Sequence, residues 1–284
     1  MRKRQLSHAE ANASAIHRGV GKMREPFLWS HKTVAEIREY MSKRPTVILP
    51  IGCTEQHGYH LPTCVDLLNA EEIAKRVSAE TGIAVLPTIN YSYSGGELHG
   101  TINVSPSVLA LYVEEICLSL SAQGAKNIII LPGHGGSENM TALLAFRDMF
   151  LRKYSHLDVV IVVMKDYLMN LCGDGDWHAG RAETSLMLYW APKLVHLDRI
   201  AYDSDELLDM MRKNPDAYQD IQKVVDSPQA GPRIRQRSDI QVGVMGYPEE
   251  ASAHIGEEIA TNSVREIVEA IKDIEKQRGI STID

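Results

Sequence analysis

Cysteine is scarce in this chain, and what is missing between the cysteines matters more than their number. The four, Cys53, Cys64, Cys117 and Cys172, form no C-x-x-C pair, so neither a zinc knuckle nor a thioredoxin-like redox motif is present. So few cysteines over 284 residues also argue against a disulfide framework, and the cytoplasm is the expected compartment. Long hydrophobic runs are missing too. Nowhere do ~18 apolar residues follow one another, so no membrane span is expected. The basic start Met1-Arg2-Lys3-Arg4 is followed by polar and small residues, not by the apolar segment of a secretory leader. There is no surplus of positive charge. Lys and Arg number 30 against 37 Asp and Glu, a net charge of −7, which is the wrong sign for a nucleic-acid binder.

What is present is an ordinary globular composition, 44% hydrophobic and 24% charged, with enough apolar material for a sizeable core. Strand-like and helix-like segments alternate. Thr33-Val34-Ala35-Glu36 has capping-box form and predicts a helix start. Residues 46–51, 83–86, 127–131 and 159–164 are short apolar runs of the kind that form buried parallel strands. Helices are predicted over about 67–80, 105–122, 138–154 and from 183 to 190, with Ser105-Pro106 as N-cap and first helical residue. A fifth strand is expected near 240–244. A last helix is expected over 255–276, where Ile255, Ile259, Val264, Ile267, Ile271 and Ile274 make one apolar stripe. This order predicts one α/β domain, a mostly parallel sheet with helices on both faces. Residues 1 to about 25 are expected to form an arm on a neighbouring subunit. The polar stretch 203–238, with Pro215, Pro228, Gly231 and Pro232, has the character of an insertion or lid.

In open α/β sheets ligands bind beyond the carboxyl ends of the strands, so the residues just after the apolar runs come under scrutiny. After the first run stand Glu55 and His57, two apart and therefore on one side of extended backbone, with Asp66 where the next helix begins. Carboxylates and an imidazole are ligands that Zn²⁺ or Mn²⁺ would accept; taken alone, Asp66 is also a plain helix cap. After the 127–131 run comes Gly133-His134-Gly135-Gly136, whose glycines let backbone approach a ligand. A third loop holds Trp177-His178-Ala179-Gly180, with Glu183 at a helix start. His178 and Glu183 are candidates for acid–base work or ligation, and Trp177 for an apolar wall against a planar substrate.

Taken together, Glu55-Gln56-His57-Gly58 with Asp66 nine residues beyond His57, then Gly133-His134-Gly135-Gly136, then His178-Ala179-Gly180 with Glu183-Thr184-Ser185, resemble the creatininase (creatinine amidohydrolase) family. Gly243-Val244-Met245-Gly246-Tyr247-Pro248 resembles a later family segment. The resemblance implies a doubly wound α/β fold and two divalent metal ions, Zn or Mn, with Fe a further candidate. It implies Asp66 as bridging carboxylate, Glu55 and His134 on one ion and His57 on the other, with a hexameric assembly. Three departures stand out. The family's Glu two residues after the second-loop His is Gly136 here, and Glu183 is the preferred replacement. Pro132 replaces an Asn common in relatives. A Phe-Pro-Gly-Thr segment becomes Leu98-His99-Gly100-Thr101, preceded by Glu97.

The expected function is hydrolysis of a C–N bond in a small cyclic amide or formamide by metal-activated water, with His178, Glu183 and Trp177 as the catalytic group and a homo-oligomer as the working form. Glu97, His99, Gly135, Gly136 and Trp177 are expected to line the substrate pocket. One alternative is cleavage of a C–C bond in a cyclic ketone such as an oxidised inositol, with Glu97 and His99 serving a polyhydroxylated substrate. Another is a non-catalytic, metal-stabilised scaffold.

Overall fold

A computed structural model describes residues 24–280 except Asp174; nearly all of the expected N-terminal arm lies outside that range. The first helix, α1 (Val34–Lys43), opens on the capping box anticipated from sequence. The Thr33 backbone N–H donates to Glu36 Oε2 at 2.8 Å, and Glu36 N–H returns a bond to Thr33 Oγ1 at 3.4 Å. Next come β1 (Thr46–Ile51), α2 (Val65–Thr81), β2 (Ala84–Val85), α3 (Pro106–Ala122), β3 (Asn127–Pro132), α4 (Ser137–Lys153) and β4 (Val160–Val163). The chain then makes α5 (Arg181–Trp190), α6 (Asp205–Lys213), β5 (Gln219–Gln222), β6 (Arg233–Gln236) and α7 (Ala253–Gln277).

Strands β1 to β4 form one sheet in the order β2-β1-β3-β4, every pair parallel. All six residues of β1 and all six of β3 are buried, because neighbours and helices cover both faces. Val47, Leu49, Ile128 and Ile130 pack with Met41, Leu109, Val113, Leu143 and Phe150 of α1, α3 and α4. Ile48, Ile129 and Leu131 pack with Ile73, Val77, Leu186, Val264 and Ile267 of α2, α5 and α7. At ~1.5–3 kcal/mol for each large aliphatic side chain fully buried, these two layers dominate the stabilising terms. The sheet is doubly wound, as predicted. From β1 the chain passes to β2 on one side and later to β3 on the other. The carboxyl ends of β1 and β3 therefore flank a topological switch point.

One expectation needs correction. Residues 240–244 are not a strand. Ile240, Val242 and Val244 are buried apolar residues spaced two apart, which gives the strand signature, but the Asp203 carboxylate takes the donors a neighbouring strand would take. It accepts from Gln241 N at 2.7 Å, Val242 N at 3.1 Å and Gly243 N at 2.8 Å. The 203–238 stretch carries regular elements of its own. It folds into α6, a short 3-10 turn at Pro215–Tyr218 and the antiparallel hairpin β5–β6.

Candidate metal centre

The three loops picked out from sequence converge at the switch point. Glu55 and His57 follow β1, His134 follows β3, and Asp66 lies in the first turn of α2. A side chain on Gly133 would overlap the Asp66 carbonyl, so glycine there lets the start of α2 rest on the end of β3. Glu183 lies in the first turn of α5, with His178 in the loop before it.

Asp66 faces both ways. Its Oδ1 is 3.6 Å from His57 Nε2, and its Oδ2 is 3.6 Å from His134 Nδ1. His57 Nε2 also lies 3.5 Å from Glu183 Oε2, and His134 Nδ1 lies 3.1 Å from Glu55 Oε2. The five side chains thus divide into His57–Asp66–Glu183 and His134–Asp66–Glu55. All are buried, yet Glu55 Oε2, Asp66 Oδ2 and His57 Nε2 make no hydrogen bond with proper geometry. Buried polar atoms are normally satisfied. Unpaired oxygen and imidazole nitrogen atoms aimed at a common centre are the donor set a divalent cation takes, so the residues fit the expected ions.

The neighbours hold these donors in one state. His57 Nδ1 sits 3.1 Å from the Glu55 carbonyl oxygen, which assigns its proton to Nδ1 and leaves Nε2 as the ligating nitrogen. His178 Nε2 lies 2.9 Å from the Gln56 carbonyl; donation there leaves Nδ1, 3.9 Å from Glu55 Oε1, free to take a proton. Glu183 Oε2 accepts the Ala179 N–H at 2.6 Å. Ala179 itself has φ 51°, left-handed backbone that costs an L-residue ~1–2 kcal/mol, in the turn that delivers His178 and Glu183.

Charges couple across the cluster. Burial pushes Glu55 up, but the His134 and His178 imidazoles outweigh it and hold that carboxyl well below the usual range. Burial raises Asp66 to about 6, against the pull of His57 and His134. Burial also works against charge on His57 and His134. Glu183 and Asp66 nonetheless lift His57 well above normal, and Glu55 lifts His134 to about 9. Glu183 is lowered, with His57 overcoming burial, while His178 is lowered by burial and by His57.

Beside the centre lies a cavity of about 340 Å³, within the size range of small-molecule sites. Trp177, Gly135 and Gly136 line it. Glu97 and His99 do not; both are exposed, and Gly96 and Leu98 from the same loop take the inward positions. Met140, Leu144, Leu168 and Met169 supply apolar surface, and Asp216, Tyr218 and Gln236 of the insertion supply a polar wall. The position of the absent second-loop carboxylate also has an explanation. A side chain on Gly136 would overlap His134 Nε2, so the imidazole occupies that space while Glu183 approaches from α5.

Several contributors escape sequence reasoning. Asp176, buried, clasps the start of α5 by accepting from Arg181 N at 2.6 Å, Ala182 N at 2.8 Å and Tyr247 N at 3.2 Å. Cys53 brings its sulfur within 4.8 Å of ligand atoms of Glu55 and Asp66. His60 is fully buried behind the centre, 3.1 Å from Thr184 Oγ1, with burial pushing it down to about 4. Only the adjacency of Cys53 and His60 to the Glu55–His57 motif could have singled them out.

The creatinine amidohydrolase family profile matches residues 30–271. Creatinine amidohydrolase of Pseudomonas putida is 33% identical over 177 residues, covering 54% of this chain and 67% of that protein. Mycofactocin precursor peptide peptidase of Mycolicibacterium smegmatis is 29% identical over 254 residues, 85% of this chain and 90% of the relative. A shorter match of 106 residues is 30% identical to 3-dehydro-scyllo-inosose hydrolase of Thermotoga maritima, covering 36% of this chain and 34% of that one. Among solved structures, a creatininase variant of Zn–Zn type superposes with a TM-score of 0.68 at 25% identity, over 87% of this chain and 97% of its own. A profile match across most of the length, on a fold shared with creatininase, places the chain: it belongs to the creatininase family of hydrolases.

Proposed function

We propose that this chain hydrolyses a carbon–nitrogen amide bond at a binuclear centre held by Glu55, His57, Asp66, His134 and Glu183. The observation that carries the reading is Asp66, which turns one oxygen to each half of the cluster. Divalent zinc or manganese bound there supplies Lewis acidity and makes water a competent nucleophile near neutral pH. The remaining work belongs to the chain. His178, kept neutral by burial and by His57, has its Nδ1 free; it takes a proton from the attacking water and passes it to the departing nitrogen. Gln56 fixes the opposite edge of that ring through its carbonyl. Trp177 excludes water from one side of the cavity, its own N–H committed to the Arg212 carbonyl at 2.9 Å.

The peptidase relative, aligned over 85% of this chain, supports including peptides beside cyclic amides. The cavity, at about 340 Å³, also leaves room for substrates larger than a single small ring. A second reading, cleavage of a ring ketone, is supported by the shorter likeness to the inosose hydrolase. The test is turnover by zinc- or manganese-loaded protein on lactams, formamides, short peptides and keto-inositols. Hydrolysis in an amide arm, lost in Asp66→Ala along with bound metal, is the expected result. Metal-loaded protein that turns over only keto-inositols would replace the first reading by the second. No turnover in any arm would sink both.

A further inference from the structure

Resting on that reading of the centre, we infer that the Tyr218 hydroxyl is a hydrogen-bond donor to the bound substrate, a substrate-contacting group that the insertion brings to the cavity. Tyr218 ends the 3-10 turn Pro215–Tyr218 and lines the same cavity as Glu55, His134, His178 and Glu183. Its ring packs against the buried Met211, Ile240 and Met245, and its carbonyl accepts from Arg237 N at 2.9 Å. The ring is therefore anchored from behind and at its backbone. Its hydroxyl oxygen lies against Gly95, where a side chain would displace it.

The hydroxyl's bonding is one-sided. Gln219 Nε2 donates to it at 2.9 Å and also donates to Glu138 Oε2 at 3.2 Å. No acceptor among the described residues takes the phenolic proton. Two other cavity-lining donors are already committed: Ser137 Oγ gives its proton to Asp216 at 3.1 Å, and Trp177 Nε1 to the Arg212 carbonyl. Burial, reinforced by the charges of Glu138 and Glu55, keeps the phenol protonated. A neutral, anchored donor facing a site rich in carboxylates suits a carbonyl oxygen on which negative charge grows during attack. A carboxylate in its place would repel that charge.

The test compares wild type and Tyr218→Phe, both zinc-loaded as full chains, binding acetohydroxamate by calorimetry. Hydroxamate chelates a metal centre whatever the natural substrate and presents an anionic oxygen that a neighbouring donor can reach. An affinity about tenfold weaker or more in the variant, with zinc content and Tm unchanged, is the expected result; a hydrogen bond to a charged group is worth that much. On any amide that wild type hydrolyses, kcat should fall by roughly 100-fold with KM little moved, the loss seen for a transition-state donor. Equal hydroxamate affinity in the two proteins overturns the assignment and leaves the metal centre standing. If zinc-loaded wild type binds no hydroxamate, the proposed centre itself fails, and the role of Tyr218 falls with it.

Discussion

Among single residues, Asp66 carries the most consequence because it is buried between two imidazoles and serves both. Those imidazoles fix a pH dependence. His134 is lifted to about 9 by Glu55 against the effect of burial, and His57 stands well above its ordinary value through Glu183 and Asp66. At pH 7 both rings of chelator-stripped protein carry the extra proton, and an ion can reach their lone pairs only by displacing it. Lower pH means more competing protons, so zinc affinity falls as pH falls through about 9, where His134 takes up its proton. Calorimetry at pH 7 in buffers of different ionisation enthalpy should read about two protons released per chain at saturation. Release of none would mean that the rings are already neutral and that the assigned charge pattern is wrong. The residue types of this centre were legible in the sequence, since each follows a buried strand or opens a helix. The pairing of Glu183 with His57 was not, because residues 126 apart in the chain meet only through the packing of α2, α5 and α7.

At the scale of elements, α5 shows how a helix start becomes part of a site. Its N-cap is Gly180, which offers no side-chain oxygen. Asp176 takes over, accepting the first-turn N–H groups of Arg181 and Ala182 and a third from Tyr247. That clasp also holds Ala179 in its left-handed conformation and so aims its N–H at Glu183. Removing the carboxylate strands buried donors at the helix start. Asp176→Ala should therefore lower stability by about 3 kcal/mol, since bonds to a charged acceptor are worth more than neutral ones. Urea denaturation of zinc-saturated protein measures it, and an unchanged midpoint would show that water replaces the clasp without loss. The sequence announced α5 by its apolar residues and its acidic first turn, but not the clasp, because Asp176 stands outside the usual capping positions. The misread strand at 240–244 has the same origin. Buried apolar residues spaced two apart signal a strand wherever backbone donors are free, and Asp203 had already taken them.

For the molecule as a whole, the parallel sheet is the buried body and the 203–238 stretch supplies one wall of the cavity. β1 and β3 are buried along their entire length, so their amides should exchange only through the largest unfolding events. The hairpin β5–β6 is two-stranded, with Ile221, Val224, Val225 and Ile234 all about half exposed, and an isolated pair of strands is marginal by itself. It is tied to the body by few polar links: Gln219 to Glu138, the Glu97 N–H to Gln236, and just before it Asp216 with Ser137. Those links join it to the start of α4 and to the Glu97 loop, both beside the cavity. Hydrogen exchange should therefore be fast in residues 219–236 and slow in residues 46–51 and 127–132. Adding a hydroxamate to zinc-loaded protein should slow exchange in the hairpin, because Tyr218 joins its first strand to the ligand, and should leave the sheet unchanged. Hairpin amides as slow as those of β3 before any ligand is added would mean that the wall is fixed, and cavity shape would then be set by the body alone. Fast exchange that a ligand suppresses would instead make the insertion the part of the chain that adapts the family's common centre to its own substrate.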